Sequence, residues 1–210
     1  MLDSSRNKNF KLRIFYKKVG RAAWISHLEL LRTIQYSIRR SGLPFVVTQG
    51  FSPHMKISFC PALSVGIESE SQVFDLYLKE YIAPFKCLDK LVNVFTDDLY
   101  PYKCAYVDND DSSAPKDGCV YTYEVIIKEN IKKLCVPKQI EISNKKKIKV
   151  LNVYKYLHND IEMNKINNFT HIKFSLKYCD GRTIKPELFI RKVLDSSGVQ
   201  SAQIINFKKL

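Results

Sequence analysis

The segment TQGFSPHMKISF, at positions 48–59, concentrates turn-forming residues and polar donors within a few positions. Gly50 permits a positive φ or a close approach of the backbone to a ligand, and Pro53 stiffens the bend. Because the side chains combine an aromatic surface, donors and a cation, we expect a ligand site formed by Gly50, Phe51, Ser52, His54 and Lys56. The alternative is a hydrophobic turn plug whose polar neighbours are only solvated.

The segment SHLELLRTIQYSIRRSG, at positions 26–42, is predicted to form an amphipathic helix. Ser26 and Glu29 have the spacing of a capping box, which begins the helix at Ser26. One apolar face, which should lie on a sheet, consists of Leu30, Leu31, Ile34 and Ile38. A second face carries a cationic and aromatic stripe of Arg32, Gln35, Tyr36 and Arg39, with Arg40 on its flank.

That stripe has chemistry suited to RNA, because guanidinium groups pair bidentately with phosphate and planar groups stack on unpaired bases. The alternative is a solvated helix face with Glu29 as partial counter-charge. His27 falls on the apolar side of the helix start, where it is either a structural histidine or a catalytic group. We expect His27 and His54 to meet at one rim of the sheet, beside the helix N-terminal amides.

The first hundred residues alternate between strand and helix patterns. The predicted strands are 10–18, 44–48, 56–59, 73–79 and 100–107, and the predicted helices are 26–42 and 83–95. This order, β-α-β-β-α-β with an extra hairpin strand, predicts an α+β fold of the ferredoxin-like sandwich type.

An acidic, turn-rich segment follows, DNDDSSAPKDG at 108–118, with the composition of a linker or a long exposed loop. Beyond it, strands are predicted at 120–128, 170–178 and 203–207. A helix is predicted at 186–198, with Pro186 in its first turn and Gly198 at its C-terminal cap. We therefore expect two tandem domains, 1–107 and 119–210, of which the second is a degenerate ferredoxin-like half.

The chain is basic, with 34 Lys+Arg against 21 Asp+Glu, a formal net charge of +13 and a pI near 9.4. Residues 1–107 carry a net charge of +6, residues 108–117 carry −3 and residues 118–210 carry +10. This balance favours a polyanionic partner such as RNA or DNA, although solvated lysine-rich faces have the same composition. The lysine cluster Lys145 to Lys149 falls in a predicted turn and is interpreted as solvated charge or as a phosphate contact.

The six cysteines are scattered, with no C-x-x-C pair and no histidine at metal-ligand spacing. We therefore expect reduced core thiols and no metal site. No P-loop or dinucleotide-binding glycine fingerprint occurs, and we expect no cofactor in this chain. There is no secretory leader pattern and no apolar run of about 18 residues, so we expect a cytoplasmic protein with no membrane partner.

Residues 17–71 resemble the opening of the bacterial "radical SAM-linked protein" family, a domain of unknown function. The resemblance rests on the patterns K-x-G-x-x-x-(F/W)-(I/L)-S-H-L-(D/E)-x-x-R, R-R-x-x-(L/I)-P, (S/T)-x-G-F-(N/S)-P-H-x-K-(I/L)-S-F and P-L-x-x-G-x-x-S. It continues more loosely to the segment GRTIKPELF, at 181–189. Ser52 and Met55 stand where the family usually has Asn and Pro.

The family has no established activity, so the resemblance bears on a partner rather than on a reaction. Its members are similar to the carboxy-terminal part of fusions with a cobalamin-type radical SAM enzyme, or are encoded beside one, often near genes for ribonuclease G and ribosomal proteins. The present sequence has no C-x-x-x-C-x-x-C triplet to hold a [4Fe–4S] cluster. We therefore expect it to work with a separately encoded radical SAM protein.

Two functions are predicted. In the first, the chain is an RNA-binding accessory module that presents structured ribosomal or transfer RNA to a radical SAM partner for modification or maturation. The alternative is a metal-independent endoribonuclease, by fold analogy with tandem ferredoxin-like CRISPR RNA processors. In that case His27 or His54 acts as base or acid, and Arg32 or Lys56 stabilises the developing charge.

Overall fold

The structure is a computed structural model that describes residues 9–112, 116–144 and 147–210. Within these residues the chain is a mixed α and β protein with ten strands and three α-helices. It divides into two compact units between residues 115 and 116. Each unit has its own elements and is described by itself.

The first unit contains four strands and two helices. In chain order they are β1 (Phe10–Lys18), α1 (His27–Arg40), β2 (Ile57–Phe59), β3 (Glu68–Leu78), α2 (Pro84–Val92) and β4 (Leu99–Tyr106). The strands lie in the order β4-β1-β3-β2, and each neighbouring pair is antiparallel. The predicted order of these strands and helices is confirmed.

The predicted strand at 44–48 is wrong. This segment makes only isolated bridges, Phe45 with Leu78 and Val47 with Met55. Its main chain still bonds to the sheet, because the Val46 N–H donates to the Tyr77 carbonyl at 2.7 Å. The β-propensity of the sequence PFVVT therefore directs the segment to the sheet without giving it a continuous ladder.

The core of the first unit lies between α1, α2 and the sheet. Leu12, Ile14 and Tyr16 alternate along β1 and are buried in one cluster with Leu30, Ile34 and Ile38 of α1. The predicted apolar face of α1 is confirmed at these three positions, whereas Leu31 is only half-buried. The capping box is also present, since the Glu29 N–H donates to Ser26 Oγ and the Ser26 N–H donates to the Glu29 carboxylate.

A buried ion network joins the two central strands of this unit. The Asp75 carboxylate on β3 is fully buried opposite Arg13, its register partner on β1. Arg13 donates to both carboxylate oxygens, at 2.7 and 2.9 Å, and this bonding raises the pKa of the guanidinium. Lys11 Nζ lies 3.5 Å from the same carboxylate. The two cations also donate to the carbonyls of Asp111 and Ser112, so the network holds the chain beyond β4.

The second unit contains six strands and one helix. They are β5 (Val120–Ile127), β6 (Gln139–Asn144), β7 (Lys147–Asn152), β8 (Glu162–Ile166), β9 (Phe169–Lys177), α3 (Pro186–Ser196) and β10 (Ile204–Lys209). Four strands form an antiparallel sheet in the order β10-β5-β9-β8, and β6 and β7 form a separate hairpin. The core stacks aromatic rings from the sheet and the helix, namely Tyr123, Phe174, Phe189 and Phe207.

The predictions for β5, β9, α3 and β10 are confirmed, whereas β6, β7 and β8 were not predicted. Pro186 does begin α3, and Gly198 follows its end with a φ of 76°. The predicted turn over Lys145 to Lys149 is wrong in part, since Lys147 and Lys149 belong to β7. Lys145 and Lys146 lie outside the described residues.

Replacing Asp75 with alanine tests the ion network. The change leaves the buried Lys11 and the mostly buried Arg13 without their shared carboxylate, so we expect a loss of about 3–5 kcal/mol in the free energy of unfolding. Urea denaturation measures this loss. The matched control is Glu70→Ala, which removes an exposed partner of Lys17 and should cost less than about 1 kcal/mol. Equal losses in the two variants would contradict the assignment.

Candidate functional site

The loop at 48–56 is a hairpin that projects from the sheet. Val47 bridges with Met55, and the Thr48 N–H donates to the His54 carbonyl at 2.8 Å, which leaves residues 49–53 as the tip. Met55 is buried in the core of the first unit and anchors one arm of this hairpin. Gly50 has a φ of 130° and no atom within 4 Å of the position of a Cβ. Backbone conformation, rather than close packing, therefore requires the glycine here.

His54 is exposed but oriented by the hairpin. Its Nδ1 lies 3.1 Å from both Thr48 Oγ1 and the Ser52 carbonyl oxygen, and its backbone N–H donates to the same hydroxyl. Of the two ring nitrogens, Nδ1 is thus engaged in contacts within the hairpin. The imidazole is therefore held in place at the surface with its remaining edge available to a ligand.

Phe51 is fully exposed at the tip of this hairpin. Fully exposed phenylalanine is unfavourable in water, because burial of such a side chain is worth about 1.5–3 kcal/mol. The alternative interpretation, a hydrophobic turn plug, is therefore wrong, since the Phe51 ring is fully exposed. The ring is instead presented as a free stacking surface.

Lys56 is positioned by an aromatic ring that sequence analysis did not single out. Its Nζ lies 4.2 Å from the centroid of the Tyr77 ring, in a cation–π contact. Tyr77 and Lys79 are separated by two positions at the end of β3, and Lys79 is exposed. The period-two alternation of that strand was the available signal that both side chains lie on the same face.

The predicted stripe of α1 is exposed except at Gln35, which is half-buried. Arg32, Tyr36 and Arg39 all face outward, and the side chain of Tyr36 is 60% exposed. The Arg39 guanidinium lies 5.8 Å from the centroid of the Tyr36 ring. Among the described residues, neither arginine forms an ion pair within 4 Å of a carboxylate. The Glu29 carboxylate accepts a hydrogen bond from the Ser26 N–H. This bond is the main cause of the lowered pKa of the Glu29 carboxyl group.

Arg40 has a different role from its neighbours on α1. Its Nη2 donates to the Val94 carbonyl at 2.8 Å, just beyond α2, and lies 3.3 Å from Ser37 Oγ. This contact joins the C-terminal ends of the two helices of the first unit. Arg40 therefore acts in the fold, whereas it was predicted to bind nucleic acid.

The structure does not bring His27 and His54 together. The His27 ring makes an edge-to-face contact with Phe59, the last residue of β2, with centroids 6.5 Å apart. His54 lies before the other end of β2, and five extended residues span roughly 15 Å. The reason is topological, since α1 begins where β1 ends and returns the chain to the opposite rim before the loop. His27 Nδ1 is buried and has no hydrogen-bond partner among the described residues.

A buried lysine that sequence analysis overlooked lies at the end of β1. Lys18 is 2% exposed, and its Nζ donates to the Ala23 carbonyl at 3.3 Å. Burial lowers the pKa of its ammonium group, because the charged form loses its hydration. The alternation of β1 was the signal, since Lys18 follows Tyr16 on the buried face.

Metal-binding side chains are not clustered in the part of the chain that the structure describes: no group of three or more His, Cys, Asp and Glu could hold a metal ion. The six cysteines are free thiols, but only Cys87 is buried, so the prediction that all are core thiols is wrong. Over the same residues, no helix is long and apolar enough to cross a membrane.

The chain matches a known protein family over most of its length. A family profile described as "Uncharacterized protein conserved in bacteria (DUF2344)" matches residues 11–186. This range covers both α1 and the 48–56 hairpin. A search of curated proteins found no match.

Arg39 and Arg40, which are neighbours at the end of α1, should differ in their effect on stability. Arg40→Ala removes the hydrogen bond to the Val94 carbonyl and should lower the free energy of unfolding by about 1–2 kcal/mol. Arg39→Ala is its matched control and should change that free energy by less than about 0.5 kcal/mol, because the exposed Arg39 guanidinium lies against an exposed ring, that of Tyr36. Chemical denaturation measures both. An Arg39→Ala variant as unstable as Arg40→Ala would contradict these roles.

Proposed function

We propose that this chain, which belongs to the bacterial DUF2344 family, is an RNA-binding protein whose main contact surface is the outer face of α1. The observation that carries the proposal is the stripe of Arg32, Tyr36 and Arg39. All three side chains are exposed, and neither arginine is ion-paired among the described residues. The formal net charge of +13 supports a polyanionic ligand.

The stripe combines the two kinds of group that RNA recognition needs. Each guanidinium offers a planar fork of donors that fits two phosphate oxygens. The Tyr36 ring offers a surface for an unpaired base, and Arg39 against its face adds a cation–π contact. A solvated helix face would need none of this aromatic exposure.

The 48–56 hairpin supplies a second contact in this proposal. The chain leaves α1 at Arg40 and enters the hairpin at Thr48, so the hairpin lies toward the C-terminal end of α1. Phe51 and His54 are exposed there, and Lys56 is steadied by Tyr77. A ligand that reaches from Arg39 to Phe51 would use cations and aromatic rings in alternation.

The biological role that we propose is to present structured ribosomal or transfer RNA to a separately encoded radical SAM enzyme. Support for this partner comes from the family resemblance of residues 17–71. The sequence lacks a C-x-x-x-C-x-x-C triplet, so the cluster chemistry would belong to the partner.

We also infer that both units are ferredoxin-like. The first has the element order β-α-β-β-α-β and the strand order β4-β1-β3-β2. In the second unit, the strands of the sheet come in the chain order β5, β8, β9 and β10. Their arrangement β10-β5-β9-β8 therefore places the fourth, first, third and second strands side by side, as in the first unit. The β6–β7 hairpin then stands in the chain position of the missing first helix, which makes this half the degenerate one.

The salt dependence of RNA binding tests the proposal. The wild-type affinity for transfer or ribosomal RNA should fall steeply as salt rises, because bound phosphates release counterions. The Arg32→Ala and Arg39→Ala double variant should reduce the slope of log K against log salt by about 1.5, as two phosphate contacts are lost. Fluorescence anisotropy over a salt series measures the slope.

Two controls make this test specific. Lys132→Ala with Lys133→Ala removes the same charge from exposed positions and should leave the slope near that of the wild type. Arg32→Lys with Arg39→Lys should keep the slope but weaken binding, because lysine lacks the bidentate fork. If the wild type binds no RNA at low salt, or the alanine pairs behave alike, the stripe is only a solvated face.

The alternative function is RNA cleavage by His54, which is oriented through Thr48 and Ser52. If His54 transfers a proton in the transition state, His54→Ala should abolish cleavage of bound RNA while affinity survives. Gel analysis of end-labelled RNA, with anisotropy on the same samples, separates the two effects. A wild-type protein that binds RNA and leaves it intact would remove this alternative.

A further inference from the structure

A groove with both polar and apolar lining residues lies beside the 48–56 hairpin in the first unit. It has a volume of about 640 Å³, within the roughly 300–1,000 Å³ that is typical of small-ligand sites. Its lining includes Asn9, Val46, Val47, Gln49, Lys56 and Lys79. Of these residues, only Lys56 was predicted from the sequence to contact a ligand.

The lining has donors for an anion at one part and an apolar surface at another. Lys56 and Lys79 supply two ammonium groups, and none of the described lining residues carries a carboxylate. Among the described residues, neither lysine forms an ion pair within 4 Å of an acidic group. Because the Tyr77 ring fixes the Lys56 ammonium at 4.2 Å, the cation is already in position for an anionic ligand.

The remaining lining residues suit a nucleobase. Val46 and Val47 give an apolar surface, while the side-chain amides of Asn9 and Gln49 each offer both a donor and an acceptor. Phe51 is fully exposed two residues beyond Gln49. Its ring is therefore close enough along the chain to stack on a base next to one held in the groove.

We propose that this groove captures a single unpaired nucleotide of the RNA, with its phosphate at Lys56 and Lys79 and its base against Val46 and Val47. The inference rests on the proposed function and narrows its substrate to RNA with bulged or looped-out nucleotides. Bases within a regular duplex are stacked and paired, and the major groove of A-form RNA is too deep and narrow for side chains. An extruded nucleotide, by contrast, exposes its faces and its hydrogen-bonding edge.

The test compares two RNA probes by fluorescence anisotropy at low salt. One is a blunt RNA duplex, and the other is the same duplex with one unpaired nucleotide in its centre. The wild-type protein should bind the bulged duplex about tenfold more tightly, as expected for one captured base. The ratio of the two affinities should approach one in the Lys79→Ala and Gln49→Ala double variant, whose altered residues are both exposed.

The control variant is Lys86→Ala, which removes an exposed lysine of α2 that lies over Phe85 and not in the groove. It should keep the wild-type preference for the bulged probe. Equal wild-type affinity for the two probes, or a preference that survives the groove variant, would overturn the inference while RNA binding by α1 stands. Absence of binding to both probes would instead remove the proposed function itself.

Discussion

The buried carboxylate of Asp75 is the constraint on which the first unit depends. An ion fully removed from water costs several kcal/mol unless it is paired and hydrogen-bonded. Asp75 meets that requirement opposite Arg13, which donates to both carboxylate oxygens, and Lys11 lies close to the same carboxylate. A slip of one residue would move every side chain of β1 to the other face, which would separate the pair and expose the apolar positions. The register of the two central strands is therefore set by charge and by hydrophobic burial together.

The candidate interface follows from this register. With Leu12 and Ile14 on one face of β1, α1 packs through Ile34 and Ile38 and leaves Arg32, Tyr36 and Arg39 outside. On the far side of β3, the Tyr77 N–H donates to the Lys56 carbonyl, and the Lys56 N–H donates to Val46. The sheet thus holds both arms of the hairpin. A tip presented in this way loses little conformational freedom when a ligand binds to Phe51.

Two groups of cations in the first unit have different uses. Lys11, Arg13, Lys18 and Arg40 bond to carboxylate or carbonyl oxygens within the unit. Arg32, Arg39, Lys56 and Lys79 have no acidic partner within 4 Å in the described part of the chain and lie along α1 or beside the hairpin. Net charge alone overstates what is available to a polyanion, because part of it stabilises the fold. Binding of RNA would depend on the second group of cations and on where these cations lie.

Local patterns in the sequence were sufficient for most elements and for the composition of the candidate site. The capping box at Ser26, the period of α1 and the alternation of β1 are short-range signals, so α1, β1 and the outward stripe were predictable. Long-range packing decided the rest. It divided Arg39 from Arg40, buried Lys18, placed His27 and His54 at different ends of β2, and brought Asn9, Lys56 and Lys79 to one groove. Those outcomes depend on which residues meet across the sheet, and these long-range contacts cannot be deduced from the local spacing of residues in the chain.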